Sequence, residues 1–353
     1  MVVVFIADCL TTQRAGIHVY VKGLIPFIID QYPHHTYYHI TTKPYSIDCS
    51  SNVVIPIKSW LPAHYRLRYF VEIPSGIKRL KADVAIETAH FGPFIMADHT
   101  VRMTVVHDLT PILFPHFHDW LSSWWHRVFF GRLLRSTDAI ITNSYATKKD
   151  IVEYLKVAPR DISVCYPQLT PPHNKKDQSK SDSITFLTLG TIEPRKNHQL
   201  ILIALTKWYK LTGRNFEWWI VGGEGWKNND FHIALQGSSI KPFVKITGYV
   251  NDQQKSEIYD RSDVLLFASF YEGFGIPIVE AMDYGLVAIL SNIAIHREVG
   301  GDQCHFFDDA DGLTELLTTL ELQTVVDYSD QLRLLREAKI DIPILGKRGN
   351  KTA

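Results

Sequence analysis

The sequence predicts an α/β chain made of two parallel-sheet domains in tandem. Short β-branched runs alternate with helical patterns along most of the chain, which is the signature of strands joined by crossover helices. A polar, proline-led seam interrupts that alternation near the middle. A fresh strand–helix–strand pattern then begins at Ile184. The length of 353 residues suits two domains at ~150 residues each.

In the first half, Val2–Ala7, Val53–Ile57, Val84–Ile86, Met103–Val106 and Ala139–Thr142 read as buried strands. In the second, Ile184–Leu189, Trp218–Val221, Val244–Thr247, Val264–Phe267, Val287–Leu290 and His305–Phe307 do so, with helical stretches at His198–Leu211 and Gln253–Arg261 between them. The seam Pro171–Asp182 carries no aliphatic residue and is rich in turn formers, so it reads as a linker. The expected organisation is a first domain over 1–172, a linker over 173–182 and a second domain over 183–353, whose end returns to the first domain in one version of this division.

Apolar residues make up 46% of the chain, enough for two cores. Lys plus Arg and Asp plus Glu number 37 each, and this balance argues against a nucleic-acid partner. An anionic ligand must therefore be held by local cations and backbone amides. Cys9, Cys49, Cys165 and Cys304 form neither a CxxC pair nor a metal-ligand spacing and read as reduced thiols. Met1–Leu10 lacks a positive flank and runs into Asp8, so it reads as a first strand and not a signal peptide. No apolar run reaches ~18 residues, and the expected location is the cytoplasm, with peripheral membrane contact as one reading of the aromatic segments below.

The strongest local signal is Glu272-Gly273-Phe274-Gly275-Ile276-Pro277-Ile278-Val279-Glu280. It follows a strand and opens a helix at Pro277, a residue suited to a first helical position. Glycines before a helix N-terminus expose N–H groups to an anion, and the helix dipole adds positive potential. Glu272 on the loop and Glu280 about one turn inside the helix can border one pocket and accept hydrogen bonds from hydroxyls. The second signal is Gly190-Thr191-Ile192-Glu193-Pro194-Arg195-Lys196-Asn197, again at a strand end. Two cations at a helix start oppose the dipole, and a diphosphate partner explains them; two solvated surface cations are the alternative. Weaker signals are Gly222-Gly223-Glu224-Gly225-Trp226, the His107-Asp108-Leu109-Thr110 strand end, and Gly16 in the first strand-to-helix turn.

Together these strings resemble the retaining GT-B glycosyltransferases of family 4. The resemblance runs from the first strand to about residue 323. Its carrier is the E-x7-E pair Glu272 and Glu280 inside the pattern from Ser269 to Met282, supported by Gly190–Asn197, Gly225-Trp226, Gly248-Tyr249-Val250, His107-Asp108-Leu109 and Glu298-Val299-Gly300. Details of the H-D-L and G-x-x-G-W strings look closest to bacterial mannosyltransferases of O-antigen and capsule assembly.

The resemblance implies a GT-B fold, α/β with two Rossmann-like parallel-sheet domains facing a cleft. It implies transfer of a hexose, read as mannose from GDP-mannose, from a nucleotide sugar donor to a saccharide or lipid-linked saccharide acceptor. The implied catalytic set is His107, Glu272, Arg195 and Lys196. His107 would contact the donor sugar, Arg195 and Lys196 would neutralise the diphosphate, and Glu272 would hold sugar hydroxyls. The implied donor-binding set is Gly16, Gly190, Tyr249, Val250, Phe274, Gly275, Ile276 and Glu280. Within it, Glu280 would take the ribose hydroxyls, Tyr249 and Val250 the base, and the backbone near Gly16 and Gly275 the phosphates. No cofactor and no metal are expected, because cations and amide dipoles can meet the charge of the leaving diphosphate. The Asp309 and Asp311 pair lies beyond the E-x7-E helix and reads as a loop cap.

The sequence departs from the family pattern in places. Gly285-Leu286-Val287-Ala288 lacks the usual proline, as does the segment at Asp308-Asp309, and the long closing helix is hard to find beyond Asp330–Lys339. For the acceptor, His116–Arg135 (with Phe117, Trp120, Trp124, Trp125, Phe129 and Phe130 among arginines) and Lys58–Phe70 each fit a membrane or lipid-linked acceptor, or a helix packing its aromatics inward. A non-catalytic GT-B partner subunit, or a GT-B epimerase or phosphorylase, are the rival readings. Intact Arg195, Lys196 and Glu272 argue against the first, and the E-G-F-G-x-P-x-x-E string argues against the second.

Overall fold

A computed structural model of the chain describes residues 1–12, 16–58, 60, 64–89, 99–114, 134, 136–172 and 183–346, with the side chains of Tyr65 and Arg66 outside the description. The aromatic stretch His116–Arg135, apart from Leu134, and most of the seam therefore lie outside the described residues. The chain divides into one unit of Met1–Leu169 together with the segment from Arg336 onward, and a second unit of Thr170–Leu335.

The first unit is a seven-stranded sheet in the order β3-β2-β1-β4-β5-β6-β7. Its strands are β1 (Val2–Ile6), β2 (Thr36–Thr41), β3 (Ser51–Val54), β4 (Val84–Glu87), β5 (Val101–Val106), β6 (Ala139–Thr142) and β7 (Ile162–Val164). Every pairing is parallel. Central β1 is buried on both faces. Val3 and Phe5 meet Tyr20, Leu24 and Ile28 of the helix α1 (Gly16–Gln31), while Val4 and Ile6 meet Ile73 and Ile77. The end of the chain completes the first of these layers. Ile340, Ile342 and Leu345 are buried there, the Tyr32 hydroxyl donates to the Ile340 carbonyl at 3.3 Å, and Ser163 Oγ donates to the Asp341 carbonyl at 2.5 Å. Among the described residues the chain returns to this unit through a nine-residue helix at Ser329–Glu337 and this apolar strap.

The second unit is a six-stranded sheet in the order β10-β9-β8-β11-β12-β13, again all parallel. Its strands are β8 (Ile184–Leu189), β9 (Phe216–Val221), β10 (Val244–Gly248), β11 (Val264–Phe267), β12 (Val287–Ser291) and β13 (His305–Phe307). The core stacks Trp208 of helix α2 (His198–Thr212) edge-on to Phe186 and Phe216. Both buried indoles are satisfied: Trp208 Nε1 donates to the Leu317 carbonyl and Trp218 Nε1 to Thr188 Oγ1. Helix α3 (Asp252–Arg261) leads into β11, and helix α4 (Ile276–Asp283) follows it.

Each sheet reverses its order beside its first strand, between β1 and β4 and between β8 and β11. In open parallel sheets the crevice beyond the strand ends at such a reversal is where ligands bind. An aspartate locks the register at both reversals. Asp83, just before β4, accepts from the Val2 N–H at 2.6 Å, and Asp263, just before β11, accepts from the Thr185 N–H at 2.7 Å.

The sequence reading differs at several elements. The third strand ends at Val54 instead of continuing to Ile57, and β2 and β7 are added. Strand β2 was illegible because two of its buried positions, His39 and Thr41, are polar. His39 is met by Ser50 Oγ and the Tyr45 carbonyl, and Thr41 donates to the Lys43 carbonyl. Within Lys58–Phe70, Arg68 is fully buried in an ion pair with Asp8, whereas Trp60 and Phe70 are exposed. Among the described residues no helix is long and apolar enough to cross a membrane.

Candidate functional site

In the second unit the ends of β8 and β11 lie side by side, and the loops that leave them carry the charged groups. After β8 the chain passes Gly190 and forms a 3-10 turn at Pro194–Lys196, closed by Asn197 in the left-handed region at φ 53°. Helix α2 starts only at His198. Arg195 and Lys196 therefore precede the helix instead of occupying its first turn. The loop after β11 is tied to this turn by the Phe270 N–H, which donates to the Arg195 carbonyl at 2.9 Å.

The side chains close a compact network. Arg195 Nη2 meets Glu193 Oε1 at 2.7 Å, and Arg195 Nη1 meets Glu272 Oε2 at 2.8 Å and the Tyr271 carbonyl at 2.9 Å. Lys196 Nζ meets Glu272 Oε1 at 2.6 Å and lies 4.8 Å from the centre of the Phe267 ring. The side chains of Lys196 and Glu272 are only 11% and 10% exposed, so these are not solvated surface charges. Burial alone would raise the Glu272 carboxyl, but Arg195 and Lys196 outweigh it and hold the group well below the usual carboxylate range. Burial lowers the Lys196 ammonium, with Glu272 opposing and Arg195 adding to the shift.

Glycines make the close approaches possible. Gly190 sits at φ 137°, and a Cβ there would stand 2.9 Å from Lys196 Cε. The Gly190 N–H donates to the Val221 carbonyl, and the Gly222 N–H to the Gly248 carbonyl, so three neighbouring strand ends are stitched together. Gly275, at φ 94°, caps helix α4. The helix begins at Ile276, with Pro277 as its second residue and not its first. This is still within the turn where a missing N–H costs nothing.

Glu280 lies about one turn into α4. Its Oε1 accepts from Lys255 Nζ at 2.6 Å and its Oε2 from the Tyr259 hydroxyl at 2.8 Å. Both partners come from helix α3. Phe274 is buried between Glu272 and the start of α4. Tyr249 and Val250 follow the edge strand β10, with Tyr249 64% exposed.

His107 and Gly16 belong to the first unit. His107 is buried at the end of β5, where Nε2–H donates to the Thr88 carbonyl at 2.8 Å and the ring meets Tyr20 edge-on. Burial pushes its pKa down, against the Thr88 carbonyl and Asp108. Gly16 is the exposed first residue of α1. In the second unit the structure brings together Gly190, Arg195, Lys196 and Glu272, with Gly275, Ile276 and Glu280 following on the same loop and helix. Asp309 caps the helix at Ala310–Thr319 by accepting from the Gly312 N–H at 2.8 Å, and Asp311 pairs with Lys207. Among the described residues no cluster of His, Cys, Asp or Glu is arranged to hold a metal ion.

Four groups escaped the sequence reading: Glu193, Lys255, Tyr259 and His296. Glu193 stands within a recognised string, but nothing in its spacing announced a pair with Arg195. Lys255 and Tyr259 stand four apart on a helix, a spacing that places them on one face. His296 is buried with its ring 5.2 Å from that of Phe267, and Nδ1 contacts the Ser291 carbonyl and Oγ, each at 3.0 Å. Burial pushes its pKa down to about 4, with Glu272 opposing the shift.

Comparison with known proteins gives two family matches. The model described as Glycosyltransferase Family 4 covers residues 14–168, and that described as Glycosyl transferases group 1 covers residues 171–315. The O-antigen chain mannosyltransferase B of Escherichia coli is 30% identical over 165 residues, 47% of this chain and 40% of that protein. The O-antigen chain mannosyltransferase RfbU of Salmonella typhimurium is 29% identical over 250 residues, 68% of this chain and 64% of that protein. The chain thus spans less than two thirds of the length of these relatives. Among solved structures, WaaG, a glycosyltransferase involved in lipopolysaccharide biosynthesis, aligns with a TM-score of 0.64 at 14% identity, over 92% of this chain and 97% of its own. Anabaena HepE in complex with UDP-glucose aligns with a TM-score of 0.66 at 16% identity, over 90% and 89%. These structural likenesses establish the fold.

Proposed function

We propose that this chain, which belongs to the glycosyltransferases of the GT-B fold, is a hexosyltransferase that moves mannose from GDP-mannose to a saccharide or lipid-linked saccharide with retention of configuration. The observation that carries the reading is the Arg195–Lys196–Glu272 network at the β8/β11 reversal. The names of the O-antigen relatives support mannose as the sugar. UDP-glucose bound to HepE supports a nucleotide-diphosphate sugar as the donor class.

In this reading the donor diphosphate enters a network whose own charges cancel: Glu193 and Glu272 against Arg195 and Lys196. Lys196 gives one of its three N–H donors to Glu272, so two remain for phosphate oxygens. Glu272 favours the charged form of Lys196 and so works against the effect of its burial. Glu272, held by Arg195 and Lys196 and beside Ser269, takes a sugar hydroxyl on a remaining lone pair. As the glycosidic bond breaks, negative charge grows on the diphosphate, and a fixed ammonium strengthens its hold most at that moment. No metal is required for this. Glu280 takes the ribose hydroxyls, and Tyr249 and Val250 take the base.

Calorimetric titration with GDP, UDP and ADP tests the donor. GDP binding at least tenfold tighter than the others, about 1.4 kcal/mol, is the expected result. A preference of that size for UDP would replace guanine with uracil and leave the glycosyl-transfer reading standing.

A further inference from the structure

The Glu280 carboxylate is held from both sides by one helix. Lys255 and Tyr259, four residues apart on α3, each engage a different oxygen, at 2.6 Å and 2.8 Å. Tyr259 is buried and cannot drift, because its ring stacks on Tyr284 at 5.0 Å with 10° between the planes. Tyr284 is itself anchored by a 2.7 Å hydrogen bond between its hydroxyl and Ser256 Oγ. Burial works against the Lys255 charge, but Glu280 beside it outweighs that effect and the ammonium stays charged. The Lys255 side chain is partly exposed, so the pair sits at the rim and not in the core.

A carboxylate free to turn about its last torsion presents its lone pairs in many directions. One whose two oxygens each accept a fixed donor presents the remaining lone pairs in one direction. We propose that Lys255, together with Tyr259, is the positioning residue of the ribose subsite, aiming Glu280 at two adjacent hydroxyls so that ribonucleotides are preferred over 2′-deoxyribonucleotides. This inference rests on the reading of Glu280 as the ribose acceptor. A ligand lacking one hydroxyl would leave an aimed, partly desolvated carboxylate oxygen unmatched. Sites built to bond a hydroxyl reject analogues without it for this reason.

The test is calorimetric titration of the whole chain with GDP and 2′-deoxy-GDP, and with UDP and 2′-deoxy-UDP, for the wild type, Lys255→Met, Lys255→Arg, Tyr259→Phe and Glu280→Gln. The wild type is expected to prefer the ribo form of its better base by about tenfold or more. Lys255→Met and Tyr259→Phe should each cut that ratio by roughly fivefold, and Lys255→Arg should restore most of it, since the charge returns. A purely structural role for Lys255 would weaken both forms equally and leave the ratio intact, which overturns the proposal. If Lys255→Met does not fold, the ratio in Tyr259→Phe decides the question alone. Glu280→Gln separates the two layers. If it abolishes the preference while Lys255→Met and Tyr259→Phe keep it, the positioning role is wrong and the ribose reading stands. If Glu280→Gln also keeps the full preference, the ribose reading itself is wrong and the proposal falls with it.

Discussion

Lys196 and Glu272 meet in a 2.6 Å ion pair that joins the loop after β8 to the loop after β11, at the point where the second sheet reverses its strand order. The pair is buried and shares Glu272 with Arg195, so its charges are compensated within the protein before any ligand arrives. Such a pair holds a cation in place at a fixed angle. If the cation serves the leaving diphosphate, its removal should be felt in turnover. Lys196→Ala is expected to lower kcat by ~10²–10³, as loss of one preorganised electrostatic donor does. Glu280→Gln should mainly raise KM for the donor, because a ribose contact is the same in the ground and transition states. Steady-state kinetics with the donor varied will separate the two. Full turnover in Lys196→Ala with lost turnover at saturating donor in Glu280→Gln would reverse the assignment.

Gly190 offers a way to move Lys196 without altering its chemistry. A methyl group at position 190 would stand 2.9 Å from Lys196 Cε, on a backbone at φ 137° that side chains rarely adopt. Gly190→Ala should therefore cost about 1–3 kcal/mol in stability and depress kcat toward the level of Lys196→Ala. Melting curves and kinetics on the same preparation check both. Wild-type turnover in a folded Gly190→Ala would show that the position of Lys196 does not matter.

The buried histidines of the second unit predict how stability depends on pH. Burial pushes His296 down to about 4 and His198 to about 3, both below the ordinary value near 6.5. The unfolded chain therefore binds the extra protons first. The contribution of each neutral ring is complete above pH ~6.5 and is lost as the pH falls toward its folded value, at about 1.4 kcal/mol per pH unit per histidine. His296→Gln should flatten the fall in unfolding free energy between about pH 6.5 and 4 by close to one proton. Urea titrations at four pH values in that range measure the slope. An unchanged slope would mean that His296 is not buried neutral.

His107 carries a related expectation in the first unit. Its pKa is lowered by burial, and its Nε2–H donates to Thr88. It should stay neutral from about pH 6.5 upward, and turnover should show no limb from this residue between pH 6.5 and 8. A pH–rate limb in that range that disappears in His107→Gln would contradict the neutral assignment.

Much of this was legible in the sequence because parallel strands buried on both faces leave nearly continuous apolar runs, as in Val2–Ile6 and Val264–Phe267. Strand β2 hid because His39 and Thr41 are buried but polar, their partners supplied by residues 43–50. The glycine-led strings located Lys196, Arg195 and Glu272, since backbone at strand ends needs glycine where side chains crowd. They could not show that Arg195 is shared between Glu193 and Glu272, because that depends on the register of β8 against β11. Nor could they single out Lys255, whose partner lies 25 residues away on another helix.

In the proposed reaction protein cations, and not a metal ion, meet the charge of the departing diphosphate. The most direct measurement is transfer of labelled mannose from GDP-mannose to a saccharide acceptor, with EDTA present throughout, for the wild type and Lys196→Ala. Full wild-type transfer in EDTA and a loss of ~10²–10³ in Lys196→Ala are expected. Transfer abolished by EDTA and restored by Mg²⁺ or Mn²⁺, with Lys196→Ala as active as the wild type, would contradict this expectation.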